Sequence, residues 1–143
     1  MKILITGSAG FIGFHLCHFL LKKKHEVYGL DNLNSYYDVK LKKKRLKILK
    51  KYKNFKFFKI DLSNKMTLFK GFKNKKIDYV VNLAAQAGVR YSIIKPDDYI
   101  KSNLIGFCNL LNLIKSKKIK HFLFASTSSV YGINESSSFR EEY

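Results

Sequence analysis

Apolar and polar positions along the chain follow two repeating patterns. Short runs rich in β-branched and aromatic residues predict five strands, over residues 2–6, 26–31, 55–60, 78–83 and 120–126. Longer stretches between them predict helices, over residues 11–24, 38–53, 64–72 and 96–117. Strand and helix alternate throughout, so we expect an α/β fold in which helices cover a parallel sheet. The polar residues 133–143 predict a loop.

The stretch 38–53 combines apolar positions with many lysines. We expect an amphipathic helix whose apolar face includes Leu41 and Ile48 and whose solvated face includes Lys42. A solvated face is the preferred interpretation of these lysines, with membrane-surface or RNA contacts as alternatives. Cys17 and Cys108 lie far apart in apolar stretches, so we expect buried thiols and neither a disulfide nor a metal site.

Three glycines, Gly7, Gly10 and Gly13, stand between the first predicted strand and the first predicted helix. Gly7 would permit the tight turn, Gly10 would leave room for a pyrophosphate, and Gly13 would let helix and strand pack closely. The amides at the helix start, together with the helix dipole, would hold negative charge. This strand–turn–helix context predicts a site for the phosphates of a dinucleotide.

Asp31 ends the second predicted strand, 18 residues after Gly13. A carboxylate at this spacing accepts hydrogen bonds from the adenosine ribose and repels a 2′-phosphate. Asn32 follows it rather than an arginine, so the sequence favours NAD over NADP. Asp61 follows the third predicted strand in the same way and is placed to reach the adenine.

The formal net charge is +18, yet only three of the 28 basic residues are arginines. A dedicated nucleic-acid binder would use more arginine, so we expect no specific nucleic-acid partner, although the charge would attract an anionic ligand. No apolar run approaches the roughly 20 residues of a membrane span. The first residues also lack the long apolar stretch of a secretory signal, and we therefore expect a cytoplasmic protein without a membrane partner.

The motifs together resemble the extended short-chain dehydrogenase/reductases that epimerise or dehydrate nucleotide sugars. The resemblance covers the whole chain, and its motifs are the glycine triplet, Asp31, Asp61-Leu62, 82–85, Asn103 and 126–132. Two segments, 31–41 and 84–92, narrow it to the UDP-glucuronate 4-epimerase group. The resemblance implies a Rossmann-type doubly wound parallel sheet with helices on both faces, truncated after the fifth strand.

The resemblance also implies residue roles. It assigns cofactor binding to Gly7, Gly10, Phe11, Ile12, Gly13, Asp31, Asn32, Asp61, Leu62, Leu83, Ala84, Ala85 and Asn103. Thr127 would be the catalytic Ser/Thr that hydrogen-bonds the sugar oxygen at the reacting carbon, and Arg90 would help to hold the anionic substrate. The implied cofactor is NAD, the implied partner is a nucleotide sugar, and the implied setting is polysaccharide biosynthesis. Full-length members are expected to be homodimers.

The catalytic Tyr-x-x-x-Lys pair of the family lies beyond the segment that matches 126–132, and the chain ends first. We therefore expect residues 1–143 to be an incomplete NAD-binding Rossmann domain without the nucleotide-sugar-binding part, and to be inactive alone. A 4,6-dehydratase or reductase of the same family is one alternative. By the same resemblance, dehydratases have Thr-Asp-Glu where this chain has Thr127, Ser128 and Ser129. Those acids are needed to eliminate water, so their absence here favours epimerisation. A non-catalytic dinucleotide-binding fragment is the other alternative.

Overall fold

The computed structural model describes residues 1–132 and 138–142, and its centre is a five-stranded sheet. The strands are β1 (Lys2–Thr6), β2 (Glu26–Asp31), β3 (Phe55–Lys59), β4 (Tyr79–Asn82) and β5 (His121–Phe124). All pairings are parallel, in the order β3-β2-β1-β4-β5. The predicted doubly wound parallel sheet is therefore confirmed. Residues 133–137 and 143 of the predicted loop lie outside the described residues.

Helices cover both faces of the sheet. Their bounds are α1 (Phe11–Lys22), α2 (Val39–Leu49), α3 (Lys65–Phe72), α4 (Val89–Ile94), α5 (Pro96–Tyr99) and α6 (Gly106–Lys115). A π-helical turn, Ile100–Ile105, joins α5 to α6, and a 3₁₀ turn, Ser128–Tyr131, follows β5. Within residues 1–132 and 138–142, no helix has the length and apolar character that crossing a membrane requires.

The core consists of two apolar clusters, one on each face of the sheet. Because successive side chains of a strand point to opposite faces, Leu4 of β1 joins one cluster and Ile3 and Ile5 join the other. The Leu4 cluster takes residues from α3 and α6, and the other takes residues from α1 and α2. Strands buried on both faces explain why their sequences are almost continuously apolar.

The helices differ from the sequence prediction in several places, among them the second helix, which ends at Leu49 rather than at residue 53. The first helix ends at Lys22, because Lys24 adopts a positive φ of 61° that no helix contains. The predicted helix over 96–117 is divided into α5, the π-helical turn and α6. The additional helix α4 ends before Lys95, whose φ of −134° and ψ of 62° are not helical, and the α conformation is disfavoured before Pro96.

Lys42 was predicted on the solvated face of the second helix, and this was wrong. Its side chain is buried, and its Nζ donates hydrogen bonds to the backbone oxygen of Asn34 at 3.1 Å and to its Oδ1 at 2.8 Å. A lysine can bury its long apolar stem where its ammonium finds acceptors. Leu41 and Ile48, predicted on the apolar face, are instead nearly half exposed.

The two cysteines have different environments. Cys17 is fully buried as predicted, and burial raises the pKa of its thiol to about 12. Cys108 is exposed, so the prediction that it is buried was wrong. It lies on the side of α6 turned away from the core residues Leu110 and Leu113, which a pattern of apolar letters could not reveal.

Candidate functional site

A cavity of about 610 Å³ lies outside the carboxyl ends of the strands. It runs from the glycine turn after β1, past the residues that follow β2, β3 and β4, to Ala125 after β5. The strand order runs outward from β1 to β3 on one side and from β4 to β5 on the other, so the topological switch point lies between β1 and β4. Open α/β sheets bind ligands at this point. Its volume is in the range of small-molecule and cofactor sites.

The glycine turn has the geometry that its sequence predicts. Gly7 adopts a φ of +68°, and the Gly10 amide donates to the Gly7 carbonyl at 2.9 Å. A Cβ on Gly13 would lie 2.1 Å from the Gly7 oxygen, so helix α1 approaches the turn as closely as only glycine allows. Gly13 was predicted to allow close helix–strand packing. The atoms nearest to a Cβ at Gly13 belong instead to the turn, at Gly7 and Ser8.

The start of α1 faces the cavity with uncapped amides. Gly10 is the N-cap residue and offers no side chain to the first turn. Phe11, Ile12 and Gly13 of that turn line the cavity together with Gly7 and Gly10. Free amides and the positive end of the helix dipole make this surface suited to an anion such as a phosphate.

Asp31 is buried at the end of β2 and lines the cavity. Its Oδ2 accepts a hydrogen bond from the Ala9 amide at 3.1 Å, and its Oδ1 accepts one from the Leu33 amide at 2.8 Å. These bonds tie the carboxylate to the glycine turn. A carboxylate has about four lone-pair sites, so further acceptor capacity remains for ligand hydroxyls.

Asn32 and Asp61 form a polar pair that joins the ends of β2 and β3. Asn32 Nδ2 donates to Asp61 Oδ2 at 2.9 Å, while Ser63 donates its amide and hydroxyl to Asp61 Oδ1. Partial desolvation raises the pKa of the Asp61 carboxyl, but these hydrogen bonds and the charge of Lys101 hold it below its ordinary value. Both side chains, and the buried Leu62, line the cavity.

Thr6 is a structural element of the site that the sequence reasoning missed. Its buried hydroxyl donates to Asn82 Oδ1 at 2.6 Å and accepts the amides of Leu83 at 3.1 Å and Ala84 at 3.0 Å. It thereby fixes the cavity wall to which Leu83, Ala84 and Ala85 belong. The only signal in the sequence was a threonine directly before the first glycine.

Asn103 stands behind this wall. Its Oδ1 accepts the Gln86 amide at 2.8 Å and its Nδ2 donates to the Gln86 carbonyl at 2.9 Å. Gln86 lines the cavity, whereas Asn103 is not among the described residues that do. The structure therefore places Asn103 as a residue that positions the wall, and direct contact with a cofactor stays a prediction.

Arg90 and Thr127 are exposed and are not among the described residues that line the cavity. Arg90 belongs to α4, and Thr127 is the N-cap of the 3₁₀ turn, where its Oγ1 accepts the Ser129 amide at 3.3 Å. Their predicted roles toward a substrate stay predictions. In the described part of the chain, no group of three His, Cys, Asp or Glu side chains is arranged to hold a metal ion.

The sequence of the chain is similar to those of known proteins, among them a nucleotide-sugar epimerase. The chain is 52% identical over 139 residues to Protein CapI of Staphylococcus aureus, covering 97% of the chain and 41% of that protein. It is 48% identical over 139 residues to the UDP-glucuronate 4-epimerase of Thermodesulfobacterium geofontis, covering 97% of the chain and 43% of that protein. The chain therefore spans about two fifths of the length of these relatives.

A solved structure extends the likeness to the fold. The crystal structure of the UDP-glucuronic acid 4-epimerase from Bacillus cereus, in complex with UDP-glucuronic acid and NAD, superposes with a TM-score of 0.85. The two proteins are 37% identical, and the match covers 99% of this chain and 45% of that one. These comparisons confirm the predicted resemblance to the UDP-glucuronate 4-epimerase group. Residues 4–143 match the family model described as GDP-mannose 4,6 dehydratase, and the chain belongs to that family.

Proposed function

We propose that this chain is the NAD-binding part of a nucleotide-sugar 4-epimerase that acts on UDP-glucuronate. One observation carries the cofactor assignment: the uncapped start of α1 and the buried Asp31 carboxylate line the same cavity and are linked through Ala9. The substrate assignment is drawn from the relatives, among them an epimerase crystallised with UDP-glucuronic acid and NAD. A cytoplasmic location is part of the same proposal.

The cavity fits a dinucleotide in three respects. The glycine turn would receive the pyrophosphate, because Gly7 and Gly10 present backbone where a side chain would otherwise stand. Asp31 would accept the ribose hydroxyls with its remaining lone pairs. The apolar Leu62, Leu83 and Ala84 would pack against the flat rings of the ligand, with Asp61 at the adenine.

NAD supplies the reversible oxidation at the sugar carbon, which the protein has to orient and protect from water. Thr127 would hydrogen-bond the oxygen at the reacting carbon, and Arg90 would attract the substrate carboxylate. A threonine hydroxyl holds its proton too tightly to serve as the base at neutral pH, so the Tyr-x-x-x-Lys pair expected in the longer protein would take that role. Because a positioned base contributes about 10²–10⁴ in rate, residues 1–143 alone are expected to be inactive.

The 4,6-dehydratase reaction in the name of the family is the nearest rival. It requires acidic groups to eliminate water, and the chain has Ser128 and Ser129 after Thr127 where the resemblance places Asp and Glu in dehydratases. We therefore propose epimerisation as the reaction of the longer protein.

Calorimetric titration of the chain with NAD tests the cofactor assignment. We expect saturable binding that Asp31→Asn weakens about tenfold, since charge-assisted hydrogen bonds to the ribose would be lost. Asp97→Asn is the matched control, because Asp97 is exposed on α5 and is not a lining residue. A chain that circular dichroism shows to be folded, yet does not bind NAD, would contradict the proposal.

The reaction is tested in the longer protein that contains the Tyr-x-x-x-Lys pair. We expect it to interconvert UDP-glucuronate and UDP-galacturonate, and Thr127→Val to slow turnover about 10²-fold or more while NAD binding stays nearly unchanged. Loss of NAD binding in that variant would mean that Thr127 is structural. Release of a 4-keto-6-deoxy sugar from a UDP- or GDP-hexose, without epimerisation of UDP-glucuronate, would favour the dehydratase.

A further inference from the structure

Arg45 enters the cavity from α2, although nothing in the sequence connected it with the glycine turn. Its Nη1 donates to the Ala9 carbonyl at 3.3 Å, and its guanidinium carbon lies 5.8 Å from the centre of the Phe11 ring. Both contacts hold the guanidinium against the start of α1, and Arg45 lines the cavity.

Ala9 connects Arg45 with Asp31. The Ala9 amide donates to the Asp31 carboxylate, and the Ala9 carbonyl accepts from Arg45, so the two charged groups flank one fully buried residue. Arg45 and Asp31 are not an ion pair. The ion pairs among the described residues join Glu26 to Lys2 and to Lys56. Asn32 rather than an arginine follows Asp31 in the sequence, but the fold brings Arg45 to the other side of Ala9.

Most N–H groups of the Arg45 guanidinium are available to a ligand. The guanidinium carries five N–H groups in a planar fork, and one hydrogen bond to Ala9 leaves most of them available. Such a fork matches the oxygens of a phosphate, and an arginine near the adenosine ribose accommodates a 2′-phosphate in dinucleotide sites. Asp31, on the other side of Ala9, repels the same group.

We propose that Arg45 is a specificity-determining residue that lets the cavity accept a 2′-phosphorylated dinucleotide, NADP, beside NAD. Asp31 keeps NAD the preferred ligand. Arg45 reduces the difference between the affinities for NAD and NADP by pairing with the 2′-phosphate. This role presupposes the dinucleotide site proposed above.

Calorimetric titrations with NAD and NADP, on the wild-type chain and on Arg45→Met, test this role. We expect Arg45→Met to weaken NADP binding about tenfold or more, the usual effect of losing a charge-assisted hydrogen bond, and NAD binding no more than about threefold. Lys44→Met is the matched control, because it removes the same charge from an exposed neighbour that does not line the cavity. The ratio of the two affinities should be unchanged in that control.

Other outcomes separate this role from its alternatives. Equal weakening of NAD and NADP in Arg45→Met would overturn it, and so would an equal change of the affinity ratio in Lys44→Met. If Arg45→Met does not fold, Arg45→Lys provides the test: a point charge without the fork should give an intermediate loss for NADP only, and no loss would overturn the role. A folded wild-type chain that binds neither dinucleotide would refute the proposed cofactor site as well, whereas NAD binding with an unchanged ratio refutes only Arg45.

Discussion

Strands β1 and β5 both lead into segments that line the cavity, yet their side chains are buried to very different degrees. Both are apolar, and a threonine stands at the end of β1 and shortly after β5. β1 pairs on both sides and its Leu4 is 0% exposed, whereas β5 pairs with β4 and its Leu123 is 48% exposed. The position of a strand in the sheet, more than its composition, therefore decides how much its side chains stabilise the protein.

The two threonines show the same difference. Thr6 is fully buried and its hydroxyl makes three hydrogen bonds that fix the cavity wall. Thr127 is exposed and caps a short turn through bonds of 3.3 Å. A buried hydroxyl is committed to the architecture, and an exposed one remains available for a ligand. The end of β1 is thus held by a buried hydroxyl, whereas the residues that follow β5 are exposed.

Substituting the leucines of the two strands should give the largest difference in the free energy of unfolding. Leu4→Ala should lower the free energy of unfolding by about 3 kcal/mol or more, because it leaves a cavity in the core. Leu123→Ala should lower it by less than about 1 kcal/mol, since the side chain is half exposed. Urea denaturation measures both values. Equal losses in the two variants would show that the edge strand contributes as much as the central one.

Substituting the two threonines should give a smaller difference in the free energy of unfolding. Thr6→Val keeps the shape of the side chain but leaves the buried Asn82 Oδ1 and two partly buried amides without their partner, so we expect a loss of about 2 kcal/mol. Thr127→Val should cost about 0.5 kcal/mol, the low end for loss of an N-cap, because water replaces the lost bond at this exposed position. Thermal unfolding followed by circular dichroism provides the comparison. A neutral Thr6→Val would mean that the wall holds without this hydroxyl.

The edge of β5 should also affect association. Among the described residues only β4 pairs with β5, and Leu123 and Phe124 are exposed beside the edge. Such an edge favours self-pairing, while the net charge of +18 opposes it by repulsion that salt screens. We expect association that grows with chain concentration and with salt in sedimentation velocity, and that Leu123→Lys reduces. A monomer at high concentration and high salt would contradict this expectation.

The smallest expected effect concerns Asp61. Hydrogen bonds from Asn32 and Ser63 outweigh desolvation and hold the pKa of its carboxyl below the ordinary 3.8. Since the folded-state pKa is lowered, the stabilisation is fully present above pH 3.8 and is lost as the pH falls through the folded-state value. An NMR titration should show this midpoint below 3.8, and Asn32→Ala should raise it. Asp61→Asn should make stability less dependent on pH below 3.8, and an unchanged profile would refute the assignment.

Much of the site was predictable because it depends on local sequence. Gly7, Gly10 and Gly13 act through the backbone of one turn, and Asp31 acts from the end of the adjacent strand. Both signals lie within one strand–helix–strand unit, where spacing along the chain determines position in space. The apolar runs likewise predicted the strands, since each must be buried on two faces.

Other features depend on residues that are distant in the sequence. Lys42 is buried because the segment after β2 offers it acceptors, and Asn103 reaches Gln86 because the π-helical turn passes behind the wall. Arg45 meets Ala9 across 36 positions of the chain. The sequence by itself determined the order of the elements, the glycine turn and its acidic partner, because periodicity and backbone freedom are local properties. Only the tertiary structure decided which polar side chains are buried and which charges meet, because that depends on how separate elements pack.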